Sequence, residues 1–393
     1  MISIMHQGKF ILSQLMEFLP RYEFNKCVKR YRGNHRIKNF SCYDQFLALA
    51  FGQLSHRESL RDIVNCLNSQ KQNLHHLGFS GEISRSTFAD ANEKRNWRIY
   101  RDFTQILITR ARELYCEDKE FDLELNGACY VIDSSVIELC LNVFPWAKMK
   151  TIRAAIKLHM QLDLNGNIPT FFDITNAKTH DTAFLDSVDF ENGAYYILDR
   201  GYIDFGKSFK IHQAGAFFVV RSKSDLGFKR IYSNKIDKTL GVKCDQIIRL
   251  KWNSLKKYPE KIRRIKYFDK ETNKSFVFLT NDFNLPAKTV ADLYRYRWQI
   301  ELFFKWIKQH LKIQTFWGYS ENAVKIQICI AISAYLIVAI AKKKLQIDRN
   351  LYEILQILNV TILTKNTMKS ILLEDTDIDI ANDSQNQACL FGF

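Results

Sequence analysis

Apolar positions change their spacing twice along this chain. Over the first ~115 residues they recur at helical intervals. Phe10, Ile11, Leu12, Leu15, Met16, Phe18 and Leu19 form an apolar stretch that Pro20 stops, and helix-like runs follow over Tyr43–Leu54 and Ser59–Leu67. After the Gly78–Gly81 turn, Ser84 or Ser86 is placed to cap a helix running through Asn92 and Trp97. From about Cys129 the pattern is that of strands. Cys129–Asp133 and Tyr195–Asp199 are short apolar runs that each end in an acid. Ile156, Leu158, Met160 and Leu162 alternate, and Asn165-Gly166-Asn167 supplies a hairpin turn before Ile168–Ile174. Ala216–Val220 and Phe276–Thr280 read as buried strands. Helices first and mixed strands after predict an α/β chain built on a mixed sheet.

Two later segments return to helical spacing. Pro286, with Thr289 and Asp292 as a capping box, starts a long helix whose apolar arc is Leu293, Tyr296, Ile300, Phe303, Phe304, Ile307 and Leu311. Ile326–Ala341 is almost wholly apolar. It is shorter than the ~20 residues a bilayer needs, and it holds Gln327 and Ser333, so a buried core helix is expected. The last ~20 residues, with Glu374, Asp375, Asp377 and Asp379, are polar and acidic and are expected to fray.

Charge sharpens this picture. The 393 residues have room for two or three domains, and they carry 57 Lys+Arg against 42 Asp+Glu, a net +15. That surplus points to a polyanion, most simply nucleic acid, with no membrane partner. Lys26, Lys29, Arg30, Arg32, Arg36 and Lys38 form one basic cluster. Arg85, Lys94, Arg95 and Arg98 lie on a helix compatible with a helix-turn-helix unit, or equally with an ordinary helical bundle. Residues 226–275 are thick with lysine and arginine and read as a basic β-rich insertion rather than core. Nine scattered cysteines without a CxxC pair fit a reducing cytosol, and the N-terminus shows no secretory pattern.

The chemistry concentrates in Tyr294, Arg297, Glu301 and Lys308. Read as one helix at roughly 100° per residue, these four fall within an arc of about 60°. The face then carries a hydroxyl, a guanidinium, a carboxylate and an ammonium, which is either surface ion pairing or a phosphodiester site. An isolated aspartate at a strand end is usually a turn residue or a cap. Asp133 and Asp199 together with Glu301 make a set of three acids, which would repel unless cations neutralised them. Hard divalent ions do that, and two of them ~4 Å apart suit phosphodiester displacement. Lys157 and His159 lie on a predicted strand. His180 is either a support for the site or a neighbour of a helix cap at Thr179 or Asp181. Arg221 and Lys223 either face phosphate or merely end a strand.

In the order of these elements the chain resembles a DDE transposase of the RNase H-like, retroviral-integrase superfamily, within the insertion-sequence IS-four group. Tyr294, Arg297, Glu301 and Lys308 match its Y-(2)-R-(3)-E-(6)-K signature. Asp199-Arg200-Gly201-Tyr202 resembles the block around the second aspartate, and Val131–Ser135 the block around the first. Phe278–Asn281 resembles the strand before the signature helix, and the 102 residues from Asp199 to Glu301 leave room for a β-rich insertion. The resemblance implies a helical DNA-binding region (1–115), an RNase H-like core (125–345) interrupted by the insertion (226–275), and a helical segment with acidic tail (346–393). It implies that Asp133, Asp199 and Glu301 bind two Mg²⁺ or Mn²⁺ ions. Water would then cut at the ends of an insertion sequence, and the freed 3′-OH would join target DNA. It further implies that Tyr294, Arg297, Lys308, Arg200 and Tyr202 contact double-stranded DNA, with Trp298 a candidate for holding a flipped base, in a homodimeric synaptic complex on the cytoplasmic nucleoid. The alternatives are an RNase H-like nuclease or resolvase without strand transfer, and a non-catalytic DNA-binding relic.

Overall fold

The computed structural model describes residues 8–116, 125, 127–150, 153–223, 225–310 and 315–373. Leu311 and the acidic tail from Glu374 lie outside the described residues. Six helices come first: α1 (Ile11–Met16), α2 (Arg21–Arg30), α3 (Cys42–Leu54), α4 (Leu60–Ser69), α5 (Arg85–Lys94) and α6 (Arg98–Tyr115). Ser41 starts α3 with a capping box: its hydroxyl accepts the Asp44 amide at 3.1 Å, and the Asp44 carboxylate accepts the Ser41 amide at 2.7 Å. Every residue of α3 is buried, and residues 70–84 separate α4 from α5.

Ten strands follow: β1 (Cys129–Leu139), β2 (Lys148–Lys150), β3 (Arg153–Asp163), β4 (Ile168–Asn176), β5 (Tyr195–Leu198), β6 (Phe217–Arg221), β7 (Phe228–Ser233), β8 (Val242–Leu250), β9 (Lys261–Asp269) and β10 (Lys274–Thr280). Helices α7 (Phe205–Gln213) and α8 (Trp252–Lys257) are interleaved with them. The sheet runs β3-β1-β5-β6-β10-β9-β8-β7, with β2 and β4 both on β3. Among the described residues, the β1/β5 and β5/β6 pairs are parallel and the others antiparallel. The β3–β4 hairpin turns where predicted, with Gly166 and Asn167 both at positive φ.

The basic segment 226–275 is β-rich, with β7, β8 and β9 and the short α8. Through β9 on β10 it prolongs the same sheet, and it buries Ile248, Leu250, Tyr258 and Ile262. One ion pair anchors it: Arg263 donates to both Asp245 oxygens at 2.9 and 2.8 Å, with both side chains nearly inaccessible, and to the Leu285 carbonyl.

The chain ends in α9 (Ala287–Arg295), α10 (Trp298–His310), α11 (Glu321–Leu345), α12 (Leu351–Thr361) and α13 (Met368–Leu373). The N-cap of α9 is Pro286 with no side-chain cap, and Asp292 pairs with Lys288 instead of with Thr289. Helix α11 is the apolar stretch noted in the sequence, and 94% of its most apolar window is buried. It packs on α6, α3 and α5, and its polar residues have partners: Ser333 meets Thr104 at 2.8 Å, and Gln327 bonds Thr315 O and Trp317 N. It serves as a core helix.

Removing the carboxylate of the buried pair would strand a guanidinium among β8, β9 and the loop before α9. Asp245→Ala is therefore expected to cost about 3 kcal/mol or more in urea unfolding, and a loss below about 1 kcal/mol would refute the anchoring role.

Candidate active site

Strand alternation decides which way the acids face. Along β1, Cys129 and Val131 enter the core under the helices, whereas Tyr130 and Ile132 enter the core on the other face. Along β5, Tyr195 and Ile197 face the helices and Tyr196 and Leu198 face away. The parallel register pairs Ile132 with Leu198, so the next residues, Asp133 and Asp199, come level on adjacent chains and on the helix side. Asp133 does not end its strand as expected. β1 continues to Leu139, paired only with β3, because β5 stops at Leu198 and leaves this edge open.

The signature stripe also differs from one continuous helix. Helix α9 ends at Arg295 and α10 begins at Trp298. Across the junction the Tyr296 and Arg297 amides donate three residues back, to Leu293 and Tyr294, a tighter turn than the α-helix makes. Arg297 thus sits in the bend, pointed at the sheet. Its Nη2 reaches Glu301 at 2.6 Å, Nη1 reaches Asp133 at 3.5 Å, and Nε lies 3.9 Å from Asp199. Tyr294 donates to Asp199 at 3.0 Å. Three acids from three elements therefore surround one guanidinium, which is 19% exposed.

The electrostatics follow. Burial is the main cause that pushes the Asp133 carboxyl up to about 6, and the Asp199 and Glu301 carboxylates add to it, against the Ser134 amide and Arg297. Folding raises this group from 3.8, so it stabilises the metal-free fold below pH 3.8 and that contribution is lost as pH rises through about 6. Burial, together with the Asp199 charge, holds the Tyr294 phenol well above its ordinary value, so it stays a donor.

The other expected residues scatter. Lys308 donates to the Val136 carbonyl on β1 at 2.9 Å, and burial lowers its pKa. Trp298 is 57% exposed at the start of α10, and Arg200 is exposed just after Asp199. Tyr202 departs from expectation. It is 2% exposed, within the core on the far face of the sheet. Arg221 lies over the Phe276 ring at 5.1 Å, and Lys223 is exposed. His180 is itself the cap of the short helix Asp181–Asp186, accepting the Thr182 amide. Ser134, Lys157 and Asp181 form a polar cluster that is not legible along the chain, because strand pairing, not chain proximity, assembles it.

The donor set suits hard divalent cations, since three carboxylate oxygens facing one guanidinium leave a surplus of negative charge. Among the described residues the three acids stand around Arg297 rather than drawn together at metal-ligand spacing. With Arg297→Ala, Asp133 would face two carboxylates without a cation. Its midpoint, followed by ¹³C carboxyl NMR of metal-free protein, should rise by about one unit above its wild-type value. A midpoint that stays or falls would contradict this electrostatic picture.

A family described as a domain of unknown function matches residues 7–80. A protein named as a transposase, y4zB, from Sinorhizobium fredii is 36% identical over 261 residues, which is 65% of this chain and 70% of that one. A protein named as the transposase of insertion sequence element IS5377 in Geobacillus stearothermophilus is 29% identical over 211 residues, 53% of this chain and 55% of its own. Among solved structures, a piggyBac transposase synaptic complex with hairpin DNA aligns at a TM-score of 0.44 and 10% identity, covering 93% of this chain and 80% of that one. The family described as the transposase DDE domain matches residues 126–337, more than half of the sequence and all three converging acids, and the chain belongs to that family.

Proposed function

We propose that this protein is the transposase of an insertion sequence, cutting phosphodiester bonds at the element's ends and joining them to target DNA. The observation that carries this reading is the convergence of Asp133, Asp199 and Glu301 on Arg297 at 2.6–3.9 Å. Three carboxylates against one guanidinium leave two negative charges, which suits divalent cations beside a phosphate. The three acids would hold Mg²⁺ or Mn²⁺, and two such ions, when bound, would supply an activated water and neutralise charge on the reacting phosphate.

The chain's own groups have separate tasks. Tyr294 orients the Asp199 carboxylate by donating to it. Arg297, freed from the acids as cations enter, is placed to pair with a phosphate of the terminal nucleotides. Lys308 and Arg200 border the same side and would hold the backbone. Exposed Trp298, one residue beyond the bend, is available for stacking on a base. In the first step, the water oxygen forms a bond to phosphorus and the P–O3′ bond breaks, leaving a 3′-OH and a 5′-phosphate. In the second, that 3′-OH attacks a target phosphodiester and displaces a target 3′-OH. The positive surplus of the whole chain would draw the duplex to this face, in a homodimeric synaptic complex.

The test is cleavage of a supercoiled plasmid carrying the native element, with Mg²⁺ or with EDTA, for wild type and Glu301→Gln. Specific end cuts that need metal and fall more than about 100-fold in the variant are expected. End binding without cutting would make the chain a DNA-binding relic, and cutting that survives the substitution would place the site elsewhere.

A further inference from the structure

Behind the sheet, on the face away from Arg297, lies a second polar cluster. Ser134 follows Asp133 on β1, so strand alternation turns its side chain to the opposite face. There its hydroxyl donates to Asp181 Oδ1 at 2.7 Å. Lys157 on β3, facing the same way, donates to that oxygen at 2.9 Å and to the Thr179 carbonyl at 2.8 Å. The remaining oxygen, Oδ2, faces Gly201, two residues beyond Asp199, across a gap that would hold a side-chain carbon, and the short helix Asp181–Asp186 packs on the Arg200–Tyr202 turn. The carboxylate thus bonds the residue after Asp133, while its helix packs on the turn after Asp199.

The setting favours a fixed geometry. Lys157 is 8% exposed and His159 is fully buried, stacked on Phe184 at 5.2 Å and bonded to Thr175 at 3.0 Å. Burial and neighbouring Lys157 push the His159 imidazole down to about 4, so it adds no positive charge at neutral pH. Burial works to raise the Asp181 carboxyl, but the bonds from Lys157 and Ser134 outweigh it and hold it low. The carboxylate is therefore ionised and holds two donors on one oxygen.

We infer that Asp181 is a positioning residue, which helps set the separation of Asp133 and Asp199 by tying Ser134 on β1 to the short helix that packs on the Gly201 turn. It touches neither reacting atoms nor the three acids. Its effect reaches the site through the two backbones, as outer partners do when they orient metal-binding carboxylates. This inference rests on the divalent-cation reading of Asp133, Asp199 and Glu301.

The test is Mn²⁺ binding to the full-length protein without DNA, measured by calorimetry or electron paramagnetic resonance, alongside thermal unfolding in EDTA. Asp181→Ala should raise the Mn²⁺ Kd about tenfold or more. Ser134→Ala should raise it less, and the double variant should be no weaker than Asp181→Ala, because both act through one contact. If the alanine variant does not fold, Asp181→Asn is measured instead. Its oxygen can still accept both donors, which share Oδ1, but without the charge, so a smaller rise is expected. Kd values within twofold of wild type for folded Asp181 variants, or additive effects with Ser134→Ala, would overturn the clamp while wild-type binding stands. A wild type that takes up no Mn²⁺ would overturn the metal reading and the clamp with it.

Discussion

One guanidinium among three carboxylates is the interaction on which the rest of the site depends. Two like charges at about 4 Å cost about 4 kcal/mol at an effective dielectric near 20, so the three acids could not share this corner uncompensated. Arg297 supplies one positive charge, and the raised Asp133 carboxyl answers part of the remainder by holding a proton more tightly than usual. The rest remains as an attraction for cations. Because α10 starts only at Trp298, Arg297 lies in a bend rather than on a helix flank, and this lets one side chain reach residues of β1, the end of β5 and α10 at once.

The fold serves that corner by register. Pairing Ile132 with Leu198 brings Asp133 level with Asp199, and a slip of one residue would turn one of them to the far face. Helix α11 and the α3 and α6 helices around it form the apolar layer against which the sheet and α10 are fixed. The β7–β9 extension is pinned by Arg263 and Asp245 to the loop that leads into α9, and so to the approach of Tyr294 and Arg297.

Much of this could be read from residue patterns. Apolar runs ending in Asp133 and Asp199, the hairpin at Asn165-Gly166-Asn167, the buried stretch after Ile326 and the signature residues were all visible along the chain. What escaped depends on pairing or on subtle backbone choices. The bend at Tyr296–Arg297 contains no glycine or proline and keeps helix-like bonds, so nothing in the side chains marks it. β1 extends past Asp133 through polar Ser134 and Ser135 because backbone bonds to β3 hold it there, with Ile137 buried beyond them. Tyr202 looked like a DNA contact by its place after Asp199, yet its ring fills the core on the reverse face. Asp181 looked like a cap, whereas its partners come from strands 47 and 24 residues away.

The most direct measurement is diffraction from crystals soaked in Mn²⁺, with anomalous differences collected at a wavelength that marks the metal. The account predicts density among the Asp133, Asp199 and Glu301 carboxylates, with Arg297 moved off at least one of them. Mn²⁺ density elsewhere, or a soaked crystal in which Arg297 still bridges all three acids and no metal enters, would contradict it.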